Sequence, residues 1–220
     1  MKRIAAALLD LDGTLYSPDS RFAQRIDGNI TDFIADRLGL PEAEADAMRV
    51  RYWREYGATV RGLHLRHGIA YEDYHQAICG FDFGDYITPD QRVARALGAL
   101  RCLRVLFTNA PLAYIERMLA TLELEGLFGR IYPLEFRDHQ TKPDPSLYGS
   151  VVADLGVPAD QCLMVDDQAM NLAPARDLGM VTVLVGGEAG AGADHQISHL
   201  AELPPLLQQH YDVVPAEDCH

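Results

Sequence analysis

The stretch Ile4-Ala5-Ala6-Ala7-Leu8-Leu9 is a continuous apolar run, and it leads directly into Asp10-Leu11-Asp12-Gly13. An apolar run of this kind, bounded by a turn signal, indicates a strand buried on both faces, as in a parallel sheet covered by helices. Gly13 favours a turn at its end. Because side chains two apart in a strand point to the same side, we expect Asp10 and Asp12 to project together from its carboxyl end.

Working outward from this strand, residues 17–86 show apolar positions at helical spacing and no strand candidate of comparable strength. From residue 87 onward, predicted strands alternate with predicted helices. The strands are expected at 103–107, 131–132, 162–165 and 181–185, and the helices at 112–122, 145–155 and 170–178. This alternation predicts an α/β core of residues 1–16 and 87–220, with a parallel sheet, interrupted by a helical insert of residues 17–86.

Two glycine-rich or acidic stretches are predicted to lack regular structure. Residues 186–194 contain four glycines and predict a loop. The acidic stretch after Tyr211 predicts a frayed end.

The net charge of the chain limits the kinds of molecule that it can bind. Nineteen Lys and Arg against 32 Asp and Glu give a formal net charge of −13, which repels nucleic acid polymers and anionic membrane surfaces. A small phosphorylated metabolite could still bind where local cations or a metal offset that charge. No apolar stretch reaches the roughly 18 residues of a membrane span. The four cysteines show no Cys-x-x-Cys spacing, and we expect free thiols in a reducing cytoplasm.

Acidic and polar side chains recur where predicted strands end. Asp10 and Asp12 repel one another, and a hard divalent cation, magnesium above all, would relieve that repulsion. Thr108 and Asn109 follow the strand 103–107 and could hold phosphate oxygens. The strand 162–165 runs into a further acidic pair. Since parallel strands present their carboxyl ends at one edge, we expect these side chains to form one cluster.

Each of these motifs also has a purely structural interpretation. Asp-Gly is an ordinary turn, and Thr108 could cap the next helix. Lys142 lies in Thr141-Lys142-Pro143-Asp144-Pro145, an unusual setting for a solvated lysine, although the prolines could simply start a helix. The coincidence of all motifs at matching strand ends favours the functional interpretation.

Taken in order, Asp10-Leu11-Asp12-Gly13-Thr14, Thr108-Asn109, Lys142 and Asp166-Asp167 resemble the four motifs of the haloacid dehalogenase superfamily. The resemblance implies a Rossmann-like core with a small α-helical cap inserted after the first strand. It further implies a phosphatase whose nucleophile forms an aspartyl-phosphate. A dehalogenase needs no acid for its halide leaving group, so the second acid of the first motif favours phosphate esters.

The resemblance also implies a role for each site residue. Asp10 is the expected nucleophile and Asp12 the general acid and base, while Lys142 is catalytic and binds phosphate together with Thr108 and Asn109. Magnesium is expected on Asp10, Asp166 and the backbone carbonyl of Asp12. Asp167 and Asn171 are expected behind these ligands. Asp167 would orient Lys142 or a metal-bound water.

More narrowly, Tyr56-Gly57-Ala58-Thr59-Val60-Arg61-Gly62-Leu63, His67-Gly68-Ile69, Tyr74-His75 and Phe107-Thr108-Asn109-Ala110 resemble the pyrimidine 5'-nucleotidase branch. That branch commonly carries Asn where this chain has Gly13. The resemblance implies UMP or CMP as substrate. Candidates for contacts with the ribose or base, each of which could equally be a packing residue, are Tyr16, Tyr56, Thr59, His67 and His75.

Three other functions stay open. A phosphatase for a sugar phosphate or phosphoglycolate would use the same core with a different cap. A receiver-like signalling domain also pairs acids with a lysine, but it would have no 70-residue helical insert. A phosphate-binding protein without catalysis would not need every expected catalytic residue. A monomer and a homodimer are equally compatible with the sequence.

Overall fold

The computed structural model describes residues 1–187 and 192–215, and the chain divides into two compact units. One unit comprises Met1–Pro18 and Pro89–His220, and the other comprises Asp19–Thr88.

The unit Asp19–Thr88 is built from helices α1 (Arg21–Leu38), α2 (Glu42–Tyr56), α3 (Thr59–His67) and α4 (Tyr71–Ile78). The hydroxyl of Ser20 accepts a hydrogen bond from the Ala23 amide at 3.1 Å and so caps the start of α1. An aromatic cluster contributes to the interior: the ring of Phe22 lies 5.7 Å from that of Phe81 and 4.8 Å from that of Phe83.

The other unit contains eight strands and five helices within its described residues. The strands are β1 (Lys2–Ile4), β2 (Ala6–Leu9), β3 (Leu103–Phe107), β4 (Arg130–Tyr132), β5 (Cys162–Asp166), β6 (Val181–Val185), β7 (His195–Ile197) and β8 (Tyr211–Val213). The helices are α5 (Gln91–Ala99), α6 (Leu112–Thr121), α7 (Pro145–Leu155), α8 (Ala169–Asp177) and α9 (Leu203–His210).

Six of these strands form one parallel sheet in the order β4-β3-β2-β5-β6-β7. Strands β2, β5 and β6 are buried along their whole length, as a parallel sheet between two layers requires. The predicted α/β fold with a Rossmann-like parallel sheet is therefore confirmed.

The apolar run 4–9 is not one strand, and that prediction was wrong. Residues Lys2–Ile4 pair with β8 in a separate two-stranded parallel sheet, whereas Ala6–Leu9 pair with β3 and β5. The change of partner occurs at Ala5, whose amide donates to the Gln161 carbonyl at 2.9 Å and whose carbonyl accepts from the Leu103 amide at 2.9 Å. An apolar pattern reports burial but does not identify the partner strand.

The expectation of a frayed end directly after Tyr211 was also wrong, because Tyr211–Val213 form β8 and the Val214 amide donates to the Ile4 carbonyl at 2.8 Å. Residues 216–220 lie outside the described part of the chain. Of the predicted loop 186–194, residues 188–191 also lie outside it. No helix in the described residues combines the length and the apolar character needed to cross a lipid bilayer.

The register of the sheet brings the functional motifs to one edge. Leu9 lies opposite Leu106 on β3 and opposite Val165 on β5. The next residue, Asp10, donates its amide to the Val165 carbonyl at 2.9 Å. The chain thus leaves β2, β3 and β5 at the same level, which is the carboxyl edge where α/β sheets bind ligands.

Candidate active site

A buried lysine connects two of the strand ends. The ammonium group of Lys142 lies 2.8 Å from Oδ1 of Asp10 and 2.7 Å from Oδ2 of Asp166. Burial by itself lowers the pKa of Lys142, but the carboxylates of Asp10 and Asp166 outweigh burial and hold that pKa above its usual range. Lys142 is therefore a permanent cation beside Asp10.

The backbone around Lys142 is fixed by the side chain of Asn109. The carboxamide oxygen of Asn109 accepts from the Lys142 amide at 2.8 Å, and its nitrogen donates to the Lys142 carbonyl at 3.1 Å. The ammonium group also lies 5.2 Å from the ring centre of Phe107, within the range of a cation–π contact. The loop that follows β3 thereby positions a residue from the loop before α7.

The carboxylate of Asp166 accepts hydrogen bonds from three residues. Besides Lys142, the Asn171 side-chain nitrogen donates to Oδ1 at 3.0 Å and to Oδ2 at 3.1 Å, and the Gln168 amide donates to Oδ1 at 2.8 Å. The orientation of Asp166 is thus set by its neighbours on α8 and by Lys142. Asn171 lies behind the acids, next to Asp166.

Asp167 lies against the turn that follows β2. A methyl group added at Gly13, whose φ is +81°, would lie 2.4 Å from Oδ2 of Asp167. Only glycine combines this left-handed conformation with room for the carboxylate. Burial, followed by the nearby Asp166 charge, raises the pKa of Asp167 to about 6, and the Gln168 side chain donates to Oδ2 at 2.6 Å.

These contacts show which of the adjacent acids, Asp166 or Asp167, binds Lys142. The sequence predicts that Asp167 orients Lys142 or a bound water. In the structure the hydrogen bond with Lys142 is made by Asp166, and orientation of a bound water by Asp167 stays a prediction. Consecutive residues at a strand end point in different directions, and which one faces the lysine depends on packing that the sequence pattern does not contain.

Three acids from two strand ends converge closely enough to share a cation. Oxygens of Asp10, Asp166 and Asp167 all lie within 4.8 Å of one another. Burial raises the pKa of Asp10, Lys142 opposes that shift, and the charges of Asp166, Asp12 and Asp167 add to it. The charge of Lys142 thus acts on four carboxyl groups and contacts two of them, and this local excess of negative charge favours binding of a further cation.

Two tyrosines hold the carboxylate of Asp12. Its Oδ1 accepts from the hydroxyl of Tyr16 at 2.6 Å and from that of Tyr114 at 2.8 Å, and the two hydroxyls are 3.3 Å apart. Burial raises the pKa of Asp12, and these two hydrogen bonds oppose the shift. Burial and the Asp12 charge raise the pKa of both phenols well above the usual value, so they remain donors.

Thr108 directly follows β3 and is buried. Its hydroxyl accepts from the Ala110 amide at 3.1 Å. Helix α6 begins later, at Leu112, with Pro111 as the capping residue, so Thr108 does not occupy the N-cap position of that helix. Because Thr108 follows Phe107, the last residue of β3, it lies at the carboxyl edge of the sheet.

The remaining specificity candidates lie in the unit Asp19–Thr88: Tyr56, Thr59, His67 and His75. The hydroxyl of Tyr56 accepts from the Arg66 side chain at 2.7 Å. The hydroxyl of Thr59 is buried and donates to the Arg49 carbonyl at 3.1 Å. Both hydroxyls therefore support the helices of their own unit.

The two histidines also have contacts inside this unit. Nε2 of His67 lies 2.8 Å from the hydroxyl of Tyr52, and the ring of His75 packs edge-on against Tyr74 at 5.1 Å. These contacts agree with the packing alternative for both residues. Tyr16, the fifth candidate, lies in the other unit on Asp12.

Sequence reasoning missed Tyr114, Gln168 and the use of the Asn109 side chain. Tyr114 stands in the first turn of α6, and no motif spacing marks it. Its only sequence signal is its position shortly after Phe107-Thr108-Asn109-Ala110, at the start of the helix that leaves the carboxyl edge.

Known proteins resemble this chain to different extents. "Phosphate metabolism protein 8" of Saccharomyces cerevisiae is 26% identical over 80% of this chain and 59% of its own length. The plasmid-encoded phosphoglycolate phosphatase of Cupriavidus necator is 37% identical over 46% of each chain. The chain thus spans about six tenths of the yeast protein and under half of the bacterial one.

The fold also matches solved structures. The L-2-haloacid dehalogenase of Xanthobacter autotrophicus superposes with a TM-score of 0.63 at 17% identity, over 94% of this chain and 99% of the other. At that identity the likeness concerns the fold alone. The family model of the haloacid dehalogenase-like hydrolases matches residues 4–179, which include every motif at the carboxyl edge. The chain belongs to the haloacid dehalogenase-like hydrolases.

Proposed function

We propose that this hydrolase is a magnesium-dependent phosphatase that transfers a phosphoryl group from a small phosphate monoester to Asp10 and then to water. The observation that carries the proposal is the contact of Lys142 with Asp10, at 2.8 Å, in a buried setting. A carboxylate beside a fixed cation, two residues before a second acid, provides a nucleophile, a binding site for phosphoryl oxygens and a proton donor.

The donor set fits magnesium. It offers carboxylate oxygens of Asp10, Asp166 and Asp167 within 4.8 Å of one another, and hard oxygen ligands are those that magnesium prefers. We propose that Asp10, the Asp12 carbonyl, Asp166 and Asp167 hold the ion. Asp167 contributes because Asp166 already accepts from Lys142, Asn171 and the Gln168 amide. A bound magnesium ion would offset charge between the acids and the phosphate dianion.

In the first step, a carboxylate oxygen of Asp10 attacks phosphorus, and the bond from phosphorus to the ester oxygen breaks. Asp12 gives its proton to the departing oxygen, so the alcohol leaves as a neutral molecule. Lys142, the Thr108 hydroxyl and main-chain amides at Asn109 hold the phosphoryl oxygens as charge redistributes.

In the second step, Asp12, now ionised, takes a proton from a water molecule. The oxygen of this water attacks phosphorus, the bond to Asp10 breaks, and inorganic phosphate leaves. Splitting hydrolysis in this way replaces one difficult displacement by two easier ones. The same carboxyl group acts as acid and then as base, which its partly exposed position permits.

Dehalogenation is the competing chemistry for this family. A halide leaves as a stable anion and gains nothing from a proton donor, so a dehalogenase has no use for Asp12 as an acid. In this chain Asp12 is held by two partly buried phenols, which favours a role for its carboxyl group. The phosphatase is therefore the function that the geometry supports best.

For the substrate we propose a pyrimidine nucleoside 5'-monophosphate, UMP or CMP. The support is the resemblance of the segments around Tyr56–Leu63, His67–Ile69 and Tyr74–His75 to the pyrimidine 5'-nucleotidase branch. The second candidate is a sugar phosphate or phosphoglycolate, which the likeness to the phosphoglycolate phosphatase favours. We further propose that the unit Asp19–Thr88 acts as the cap that selects between them.

A cytoplasmic location is also part of the proposal. Cys79, Cys102 and Cys162 carry free thiols, as is usual for proteins in a reducing compartment.

The test is release of inorganic phosphate from UMP, CMP, AMP, GMP, ribose 5-phosphate and phosphoglycolate, with magnesium and with EDTA, alongside halide release from a 2-haloacid. Asp10→Asn is the blank. We expect magnesium-dependent release from UMP and CMP above the other esters. Preference for a sugar phosphate would keep the mechanism and replace the substrate. Halide release without phosphate release, or full activity of Asp10→Asn, would contradict the phosphatase.

A further inference from the structure

Tyr16 and Tyr114 meet at a single oxygen atom of Asp12. Their hydroxyls lie 2.6 Å and 2.8 Å from Oδ1. They come from separate elements, Tyr16 from the turn after β2 and Tyr114 from the first turn of α6. Two donors from separate elements restrain rotation of the carboxyl group about its last bond more strongly than a single donor would.

Because both phenols bind Oδ1, the two oxygens of the Asp12 carboxyl group have different roles. A carboxylate has about two lone-pair sites on each oxygen, and the two O–H donors use those of Oδ1. A proton carried by Asp12 then resides on Oδ2, because protonation of Oδ1 would break one of these hydrogen bonds. The two phenols also remain in place when Asp12 is ionised, so one geometry serves both states.

We propose that Tyr16 and Tyr114 are positioning residues that fix Asp12 so that its Oδ2 alone exchanges the proton during hydrolysis. This inference rests on the proposed phosphatase function and deepens it. In the first step the O–H bond at Oδ2 breaks as the ester oxygen departs with the proton. In the second step an O–H bond of water breaks and the bond at Oδ2 forms again. The phenols keep their own protons throughout.

The anchoring of Tyr114 supports this assignment. Pro111, the capping residue of α6, has no side-chain capping hydrogen bond. Instead, the Leu112 amide donates to both carboxylate oxygens of Glu135 at 3.1 Å. This contact fixes the first turn of the helix, where Tyr114 stands, in a position that reaches Asp12.

The experiment compares Tyr16→Phe, Tyr114→Phe and the double variant with wild type on two monoesters. For p-nitrophenyl phosphate the leaving group departs as an anion and needs no proton. For ribose 5-phosphate it must be protonated. The first turnover of the aryl ester, followed by release of p-nitrophenolate, reports the phosphorylation step without Asp12 as acid.

We expect the first-turnover rate on the aryl ester to stay within about threefold of wild type. On ribose 5-phosphate we expect kcat to fall about 10-fold in each single variant, with KM within about twofold. These losses are a part of the roughly 10²–10⁴-fold contributed by general acid–base catalysis. The double variant should lose no more than Asp12→Asn loses on the same ester.

Tyr132→Phe is the matched control. Tyr132 is buried in the same unit, and its hydroxyl donates to Asp154 at 2.8 Å. The substitution removes a comparable Tyr–Asp hydrogen bond and leaves the main-chain hydrogen bond from the Thr108 amide to the Tyr132 carbonyl in place, so both esters should react at the wild-type rate.

The outcomes distinguish failure of the phosphatase function from failure of the positioning role of the two tyrosines. If wild type releases phosphate from neither of these esters and from neither UMP nor CMP, the phosphatase function fails and this inference fails with it. If wild type is active and the double variant retains full kcat on ribose 5-phosphate, only the positioning role is overturned. Equal losses on both esters, or a change in KM alone, would also overturn it, because the tyrosines would then shape the pocket without orienting the acid. Two single variants at independent positions guard against a folding defect in either one.

Discussion

Lys142 and Asp166 form a fully buried ion pair: Nζ lies 2.7 Å from Oδ2, and their side chains are 1% and 0% exposed. Such a pair costs desolvation energy, and its net benefit depends on additional hydrogen bonds. Asp166 has those hydrogen bonds from Asn171 and the Gln168 amide. Lys142 has a second carboxylate partner in Asp10.

Lys142→Met should destabilise the metal-free protein by about 3–5 kcal/mol, because Asp10 and Asp166 would be left buried without their cation. Urea denaturation in EDTA, followed by circular dichroism, measures the loss. Magnesium should restore part of it, and more than it adds to wild type. Arg92→Met is the control, since Arg92 is 61% exposed in its pair with Asp90 and should change little. A Lys142→Met protein as stable as wild type in EDTA would contradict the prediction.

Gly13→Ala should weaken magnesium binding, because the new methyl group would meet Asp167 Oδ2 at 2.4 Å. Gly156→Ala is the matched control: its φ is +70°, and nothing lies within 4 Å of the added methyl group. Both variants should lose about 1–2 kcal/mol of stability to the left-handed backbone. Only Gly13→Ala should need more magnesium for half-maximal activity. The same magnesium requirement in both variants would argue against a role of Asp167 in holding the ion.

Glu135→Ala should lower stability by about 0.5–2 kcal/mol, the usual cost of losing a helix N-terminal cap. The reason is that the Leu112 amide at the start of α6 would lose its acceptor, which lies at 3.1 Å. Glu135→Gln keeps an acceptor oxygen and should retain most of the stability. Thermal denaturation of the three proteins side by side measures this. An equal loss in Glu135→Ala and Glu135→Gln would show that charge, and not capping, stabilises the turn.

The stability of the protein should fall on acidification through the ordinary pKa of histidine. Burial and the nearby His210 lower the pKa of His195 from 6.5, with Asp194 acting in the opposite direction. The unfolded chain then binds more protons than the folded one, so the contribution of this site is fully present above pH 6.5 and falls as the pH drops below it. His195 also shares a 2.6 Å hydrogen bond with the Tyr211 hydroxyl.

Urea denaturation midpoints of wild type and His195→Gln, measured from about pH 8 to about pH 5, test this prediction. The difference between the two proteins should shrink toward acidic pH. A difference that is constant over the whole range would assign the effect to packing alone.

The parts of the fold that could be predicted from the sequence are those with a local sequence pattern. The apolar runs before Asp10 and before Asp166 predict buried strands, and the acids follow at the ends of these strands. The pairing of β1 with β8 could not be predicted, since Lys2 and Tyr211 carry no local signal of one another. For the same reason the run 4–9 gave no sign that it changes partner at Ala5.

Within the candidate site, residue types were predictable and their directions were not. Asp166 and Asp167 are adjacent, and only the packing of α8 decides that Asp166 faces Lys142. Tyr114 reaches Asp12 because α6 starts at a particular angle, which Glu135 helps to fix. Such contacts join residues that are far apart in the chain, and the spacing of residues in the sequence does not predict them.

The central position of β2 has a consequence for biosynthesis. On the ribosome Ala6–Leu9 is made before its two partner strands, Leu103–Phe107 and Cys162–Asp166, which emerge much later. Until then the nascent polypeptide carries an apolar strand with both edges open, the kind of segment that aggregates. We expect the chain to need chaperone protection during translation, and its refolding to be slow because β2 must wait for distant partners.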